Sequence, residues 1–268
     1  MGAGMNRFGL IIKYGNRQTT IHISRGQHLA QPIDLRMHDV HANITIILEP
    51  SSSATVHYGS IPEVSDTTIQ RTIHFIIHEH ASLTFRYDEE WQATVYAETE
   101  VIFEQKQAST VYYTHFVRSG ARIKQRLSLL ASEPQTHATI RGIYDMSGNG
   151  LVDMTSRQYH NAAHTQSNLL FKGVMRDTAQ SIHHGMIEIT KEGTYTESTQ
   201  HMHTLLLSDA ARAISVPMIE VHAHEVRCGH GSAIGRLDEE QLWYLQARGL
   251  SRTQAEQILI NGFLNNVL

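Results

Sequence analysis

The chain has 268 residues, enough to bury a large core, and its formal net charge of −4 gives no basic footprint for nucleic acid or for an anionic membrane surface. No apolar stretch approaches the roughly 20 residues that span a bilayer, and no small-residue cleavage site follows the short apolar run Phe8–Ile12, so we expect a cytoplasmic protein. The single cysteine, Cys228, excludes an intrachain disulfide framework and a zinc site of four cysteines or of two cysteines and two histidines, whereas 19 histidines favour some handling of metal.

From about Thr19 to Val226 the sequence is a succession of short β-type segments, roughly 10 to 17 residues apart. In segments such as Thr72–His78 and Ser181–Ile189 apolar residues alternate with polar ones, which is the period of a strand with one buried face. β-Branched and aromatic residues are frequent, and short turns such as Ser147–Gly150 separate the segments. The pattern predicts an all-β region.

The order of these elements limits the fold. No amphipathic helix of more than three turns precedes residue 237, which argues against doubly wound α/β folds because they need helices between strands. A sandwich, a barrel and a β-solenoid remain. Regular spacing and alternation favour a parallel β-helix, in which each coil buries its inner face against its neighbours, with a sandwich as the alternative.

The last residues have a helical pattern instead. Asp238–Gln241 is a capping box that predicts a helix start, and Gly249 predicts a left-handed stop. A second capping box, Ser251–Gln254, precedes one apolar stripe made of Ala255, Ile258, Leu259, Gly262 and Phe263. We therefore predict a β-helix core over residues 1–236 and a helical hairpin over residues 237–268, which is too small to be stable unless it packs on the core or on a partner.

Residues 165–265 carry a connected set of motifs. Pro217–Gly231 reads PMIEVHAHEVRCGHG and Gly235–Leu250 reads GRLDEEQLWYLQARGL, while LLLSDA at Leu205–Ala210 and FKG at Phe171–Gly173 precede them. With Cys-x-His-Gly, Tyr-Leu and Arg-Gly in register, this set resembles the C-terminal signature of the SufB/SufD family of iron–sulfur cluster assembly proteins.

Departures from that signature make the chain similar to SufD rather than SufB. SufB-like members have a further cysteine inside the β-helix and tend to have a glutamate at the position of Gly231. His224-Glu225 replaces Asp-Asp and Ser232-Ala233 replaces Ala-Thr, so local hydrogen bonding is expected to differ. Predicted strands also begin almost at once, where many relatives have a helical region.

The resemblance implies a right-handed parallel β-helix with a C-terminal helical segment, acting as a non-catalytic scaffold of the SUF system. It implies dimerisation through the β-helix, with itself or with a SufB-like paralogue, and docking of a SufC-type ABC ATPase on the terminal helices. The chain has no Walker A sequence, Gly-x-Ser-x-Gly elbow or His-Glu-x-x-His motif, so ATP hydrolysis is expected in the partner.

Cys228 and His230 are the candidate ligands. Residues i and i+2 of an extended chain face the same side, so the thiolate and the imidazole could meet one iron, and the glycines beside His230 allow close backbone approach or left-handed φ values. The resemblance implies a transient cluster or iron at a subunit interface here, with the remaining ligands supplied by a partner and none stably bound by the isolated chain. The alternative is that Cys228 is a packed hydrophobe and His230 bonds the backbone.

The hairpin supplies the candidate docking residues. By resemblance the ATPase contacts are Leu242, Trp243, Tyr244, Arg248, Ile258 and Phe263. Aromatic residues and arginine dominate interface hot spots, and we expect one of the Trp243 and Tyr244 rings to pack on the β-helix while the other meets the partner. The alternative is that both rings are buried.

A second function remains open, a metal-dependent β-helix enzyme. The pairs His78/His80, His201/His203 and His222/His224 have same-face spacing on expected strands and are its possible ligands. The adjacent His183 and His184 point opposite ways in a strand and cannot chelate together. Asp88-Glu89-Glu90 could supply an acid and a base, although such a run is more typical of a solvated turn.

Overall fold

The computed structural model describes residues 2–7, 10–15, 18–36, 41–59, 66–265 and 267. In these ranges eighteen strands form two sheets, and strands that follow each other in the chain alternate between them from β3 onward. The larger sheet contains β1 (Gly2–Arg7), β2 (Leu10–Gly15), β3 (Gln18–Ile23), β5 (His41–Leu48), β7 (Thr68–Ile77), β9 (Tyr96–Gln105), β11 (Arg122–Ala131), β13 (Leu151–His160), β15 (Gln180–Ile189) and β17 (Arg212–Val221). The smaller contains β4 (Ile33–Arg36), β6 (Ser53–Gly59), β8 (Ser82–Trp91), β10 (Thr110–Ser119), β12 (His137–Met146), β14 (Gln166–Met175), β16 (Glu197–Leu206) and β18 (Arg227–Gly235).

Neighbouring strands are parallel from β3 onward in the larger sheet and throughout the smaller one, so each pair of strands is one coil of a β-helix. The register is exact along the solenoid: Tyr113 pairs with Phe85 of the preceding coil and with Ile140 of the next. The β-helix prediction is therefore confirmed, and the sandwich alternative is wrong. Because side chains alternate along a strand, every second residue of each strand faces the interior of the solenoid, where apolar residues dominate.

The interior is stacked from coil to coil. The rings of Phe85 and Tyr113 lie 5.2 Å apart and nearly parallel, and those of Phe75 and Phe103 lie 5.1 Å apart. Residues that are equivalent in successive coils thus bury one another, which is how a solenoid builds a core without long-range crossovers.

One corner of the solenoid sets the length of the coil. At this corner each coil has one residue in the left-handed region, with φ between +54° and +68°: Gly26, Ser51, His80, Ala108, Gln135, His164, Tyr195 and Glu225. The N–H group of each of these residues except Glu225 donates to a carbonyl of the next coil, as from His164 to Thr194 at 2.9 Å. Only the first of them is glycine, so at the other positions the corner conformation has to be held by this ladder of hydrogen bonds.

Two helices follow the last strand, α1 (Glu239–Ala247) and α2 (Arg252–Leu264). Asp238 accepts hydrogen bonds from the N–H groups of Glu240 and Gln241, Ser251 and Gln254 form a reciprocal capping box, and Gly249 has φ +95°. The predicted box at Ser251 and the stop at Gly249 are confirmed, whereas Asp238 caps its helix through its own side chain without the reciprocal bond of a box. Among the described residues, no helix is long and apolar enough to cross a membrane.

Candidate functional site

The last coil, formed by β17 and β18 and called here the terminal coil, is the open end of the solenoid. Each strand pairs on one side only, with β15 and β16 respectively, and no described strand pairs with its other edge. An edge of this kind presents free backbone donors and acceptors to any strand that can approach it.

Cys228 and His230 lie side by side on the terminal coil. They pair in register with Ser198 and Gln200, which face the interior of the solenoid, so both side chains continue an interior row at its last position. Cys228 is half-buried and His230 is exposed. The predicted same-face placement is confirmed, and it puts a thiol and an imidazole next to each other at the open end.

After Arg227, the opposite face of β18 carries almost no side chains, because its outer row continues with Gly229, Gly231, Ala233 and Gly235. Neither Gly229 nor Gly231 is in the left-handed region, so close approach is the relevant property. At Gly231 an added Cβ would lie 2.6 Å from Nδ1 of His201, which means that this imidazole rests on the β18 backbone. The imidazole of His201 therefore contacts the strand that carries the candidate ligands.

The terminal coil also exposes large apolar side chains. Ile214 is 54% exposed and Ile234 45%, and Val216, Met218, Ile219 and Val221 are exposed as well. An apolar surface beside two unpaired strand edges is a surface that soluble proteins normally cover with a partner.

Beneath Cys228 the interior contains a chain of hydrogen bonds that sequence patterns did not reveal. His160 bonds Thr165 at 2.7 Å through Nδ1 and Ser167 at 2.8 Å through Nε2, and Ser167 bonds Ser198 at 2.8 Å. Ser198 is in turn the register partner of Cys228. Burial lowers the pKa of His160 to about 4, so this histidine is a neutral member of the chain at pH 7.

A second interior histidine, His183, lies on β15, one coil further along than His160. Its Nε2 is 3.0 Å from the Ser156 hydroxyl, and burial together with the neighbouring His184 lowers its pKa to about 4. The expectation that His183 and His184 face opposite sides is confirmed, since His183 is buried and His184 is exposed.

The acidic run Asp88-Glu89-Glu90 is not a solvated turn, so that expectation is wrong. All three residues belong to β8, and Glu89 points into the interior with no exposed surface on its side chain. Its carboxylate accepts hydrogen bonds from Tyr87 at 2.5 Å and from Trp91 at 3.3 Å, and lies 3.1 Å from Nε2 of His115. Glu89 follows the buried Phe85 and Tyr87 at a spacing of two residues, which is the pattern of an inner strand face. The prediction of a turn followed instead the general tendency of charged side chains to face water.

Burial alone raises the pKa of Glu89, but hydrogen bonds from His115 and Tyr87 and the charge of Arg71 outweigh burial and hold the pKa below its usual value. The Arg71 guanidinium lies 5.2 Å from the ring centres of Tyr58 and of Trp91. This buried cluster is charge-balanced, and it is far along the solenoid from the terminal coil.

The histidine pairs do not assemble into a metal site. His201 and His203 share the outer face of β16 with ring centres 6.1 Å apart, as predicted. His78/His80 and His222/His224 lie in turns rather than on strands, so their predicted placement is wrong. In the described ranges, no group of three or more His, Cys, Asp or Glu side chains is positioned to hold a metal ion.

The helical hairpin presents a second surface. Trp243 is 65% exposed and Tyr244 60%, so neither ring packs on the β-helix and that expectation is wrong. Arg248 lies 5.2 Å over the Tyr244 ring, and Ile258 is exposed beside a groove of about 490 Å³ between the two helices. Leu242 is fully buried, and it holds the hairpin together instead of facing outward.

Phe263 shows how the hairpin is attached to the solenoid. Lys172, on the outer face of β14, donates a hydrogen bond to the Phe263 carbonyl, and its ammonium lies 4.9 Å from the Phe263 ring centre. A further groove on this side is lined by Leu205 of β16 together with Leu259 and Phe263 of α2. The hairpin therefore lies against the outer face of the smaller sheet.

Comparison with known proteins gives a consistent set of similarities. The family model for the SUF system FeS cluster assembly SufBD core domain matches residues 33–263. The chain is 25% identical to the iron–sulfur cluster assembly protein SufD of Escherichia coli, with 91% of this chain and 60% of that protein covered. It is 26% identical to a SufBD family protein of Mycobacterium leprae, with 93% and 67% covered, and 25% identical to SufD of Bacillus subtilis, with 84% and 52% covered. The chain thus spans between about half and two thirds of the length of these relatives.

Proposed function

Because the chain belongs to the SufBD family of iron–sulfur cluster assembly proteins, we propose that it is a non-catalytic scaffold subunit of the SUF system. It dimerises through the terminal coil with itself or with a SufB-like paralogue, and it binds a SufC-type ABC ATPase through the hairpin. A cluster or iron is held transiently at the subunit interface, and ATP hydrolysis takes place in the partner. The single observation that carries the proposal is the position of Cys228 and His230 at the unpaired end of the solenoid.

The state of the terminal coil supports dimerisation there. Exposed apolar side chains are unfavourable in water, and this coil exposes Ile214, Val216 and Ile234 beside two unpaired strand edges. A partner with a matching edge would pair the free backbone groups and bury these side chains. A subunit placed against this edge would also bring its own side chains next to Cys228 and His230.

The donor set supports a shared site. A thiolate and an imidazole are suitable iron ligands, but two donors do not complete a four-ligand set. Since the described residues include no group of three donors positioned to hold a metal ion, the partner subunit provides the rest. In this arrangement Cys228 binds as the softer ligand, and His230, which is exposed, is the group that first meets iron from solvent.

The hairpin surface supports ATPase docking. Trp243, Tyr244, Arg248 and Ile258 form the exposed side, while Leu242 and Phe263 hold the hairpin in place. Exposed aromatic residues next to a groove are typical of the centre of an interface.

Co-expression with the SufC-type ATPase of the same organism tests docking. Size-exclusion chromatography with light scattering is expected to show one stable complex, whose mass also reports whether this chain forms the dimer alone. Deletion of residues 237–268 and the milder Tyr244→Ala are expected to abolish or weaken the complex. Tyr112→Ala is the matched control, because Tyr112 is 50% exposed on the outer face of β10. Absence of association from folded wild-type protein would refute the docking role.

Substitution at the terminal coil tests the cluster site. His230→Ala is expected to leave the fold and the partner complex intact and to abolish cluster formation, followed by absorbance and bound iron and sulfide. Ser232→Ala, two residues on in the same interior row, is the control. Loss of folding in His230→Ala would instead make the residue structural.

A further inference from the structure

Lys172 is an unusual residue for the place it occupies. It is on the outer face of β14, yet it is only 7% exposed, because the hairpin lies over it. No ion pair joins Lys172 to a carboxylate in the described part of the chain. Burial lowers the pKa of its ammonium, because removing a charged group from water is unfavourable.

The partner that stabilises Lys172 is the C-terminal end of α2. The Phe263 carbonyl is among the last four of the helix, which lack intrahelical donors, and a cation there also meets the negative end of the helix dipole. The Phe263 ring adds a cation–π contact. One side chain of the solenoid therefore anchors the end of the hairpin.

A continuous row of contacts leads from Lys172 to β18. Lys172 pairs in register with His203, whose pKa is lowered by burial and by the neighbouring His201 and Lys172. The rings of His203 and His201 are 6.1 Å apart, and His201 rests on the backbone at Gly231. Gly231 is adjacent to His230, so the row ends at the strand that carries both candidate ligands.

The geometry points to Lys172, His203 and His201 as positioning residues that couple the placement of the hairpin to the exposure of Cys228 and His230 on β18. A partner that moves α2 shifts the Lys172 ammonium, and the two packed imidazoles pass the displacement to Gly231. Through this coupling a docked ATPase would regulate the cluster site, and this role of the coupling rests on the proposed function. The coupling itself is a property of the isolated chain.

Cys228, as the only cysteine, gives a direct readout. In the isolated protein, Lys172→Met is expected to raise the rate of Cys228 modification by a maleimide by about two- to thirtyfold, the range that substitutions along a coupled network produce. Hydrogen exchange of the β18 amides is expected to rise with it. Lys124→Met, at a half-exposed lysine on the outer face of β11, is the control, and light scattering confirms that all proteins are compared in one oligomeric state.

The reverse direction gives an independent test, because coupling is reciprocal. Gly231→Ala must displace His201, and hydrogen exchange at the C-terminal turn of α2 is expected to rise. Gly235→Ala is the matched control, since an added Cβ there has no neighbour within 4 Å. This pair decides the matter if Lys172→Met does not fold.

The inference is overturned if Lys172→Met loosens α2 but leaves Cys228 modification and β18 exchange as in Lys124→Met, or if Gly231→Ala leaves α2 as in Gly235→Ala. Neither result would affect scaffold function or ATPase docking, which are measured by complex formation. Failure of the ATPase to bind would overturn docking while leaving the measured coupling in place.

Discussion

The carboxylate of Glu89 is fully buried in the β-helix and is bonded to three neighbouring side chains. Glu89→Ala removes the acceptor of the hydrogen bonds from Tyr87 and Trp91 and the partner of His115, and it leaves the Arg71 charge buried without a carboxylate. Removing one member of a buried ion pair costs about 3–5 kcal/mol, and the cavity adds to that. For a chain of this size, such a loss lowers the midpoint of thermal unfolding by about 10 °C or more.

Thermal unfolding followed by circular dichroism measures this effect, with Glu90→Ala as the matched control. Glu90 is the next residue of β8 and faces outward, so its loss is expected to change stability by about 0.5 kcal/mol or less. The double variant Glu89→Ala/Arg71→Met is expected to be more stable than Glu89→Ala, because it removes the uncompensated cation. A midpoint for Glu89→Ala within about 2 °C of the wild type would refute the view that the Glu89 carboxylate compensates the buried Arg71 charge.

Three other perturbations test the interior and the open end. Burial lowers the pKa of His160 and His183 to about 4 in the folded protein, whereas in the unfolded chain both histidines bind protons below a pKa near 6.5. The free energy of unfolding is therefore expected to fall as pH drops from about 6.5 towards 4, by about 3 kcal/mol for each histidine. In urea titrations, His183→Gln is expected to flatten that pH dependence. Gly142→Ala is expected to cost about 1–3 kcal/mol in the same assay, because its Cβ would lie 1.9 Å from the Phe171 ring, whereas Gly59→Ala, with open space around it, is the control. Ile234→Lys is expected to abolish pairing through the terminal coil in light scattering without changing the unfolding midpoint by more than about 2 °C, and a persistent dimer would place the interface elsewhere.

The fold could be predicted from the sequence because a solenoid repeats one local rule. Alternating segments such as Thr72–His78 indicate a strand with one buried face, and many of them without intervening helices leave few architectures. The hairpin could be predicted for a similar reason, since Ser251 and Gln254 act through local hydrogen bonds. Local patterns are readable when the interaction they encode is also local.

The positions of the corners, and with them the length of each coil, could not be predicted in this way. After Gly26, the left-handed corner positions are occupied by Ser, His, Ala, Gln, Tyr and Glu, none of which signals a positive φ as glycine does. A usable signal lay one position further on, where a small or β-branched residue recurs in every coil after the first, buried in each but the last: Ser52, Ala81, Ser109, Thr136, Thr165, Thr196 and Val226. Glu89 was missed for a different reason, since its burial depends on His115, 26 residues away, and on Arg71, which lies on the other strand of its coil.

The placement of Cys228 and His230 depends on one local feature, which the sequence pattern reveals, and on one long-range feature, which it does not. Their common face follows from the spacing of two residues, but their position at an open edge follows only from the number of strands that precede them. Inside the solenoid every interior row is covered by the next coil, so a thiol there would be inert. The terminal coil leaves an interior row accessible, and it does so next to backbone groups that need a partner strand. Under the proposed function, a ligand pair at that position would be completed by the same event that satisfies the edge, so assembly of the subunits and assembly of the ligand set are expected to be a single step.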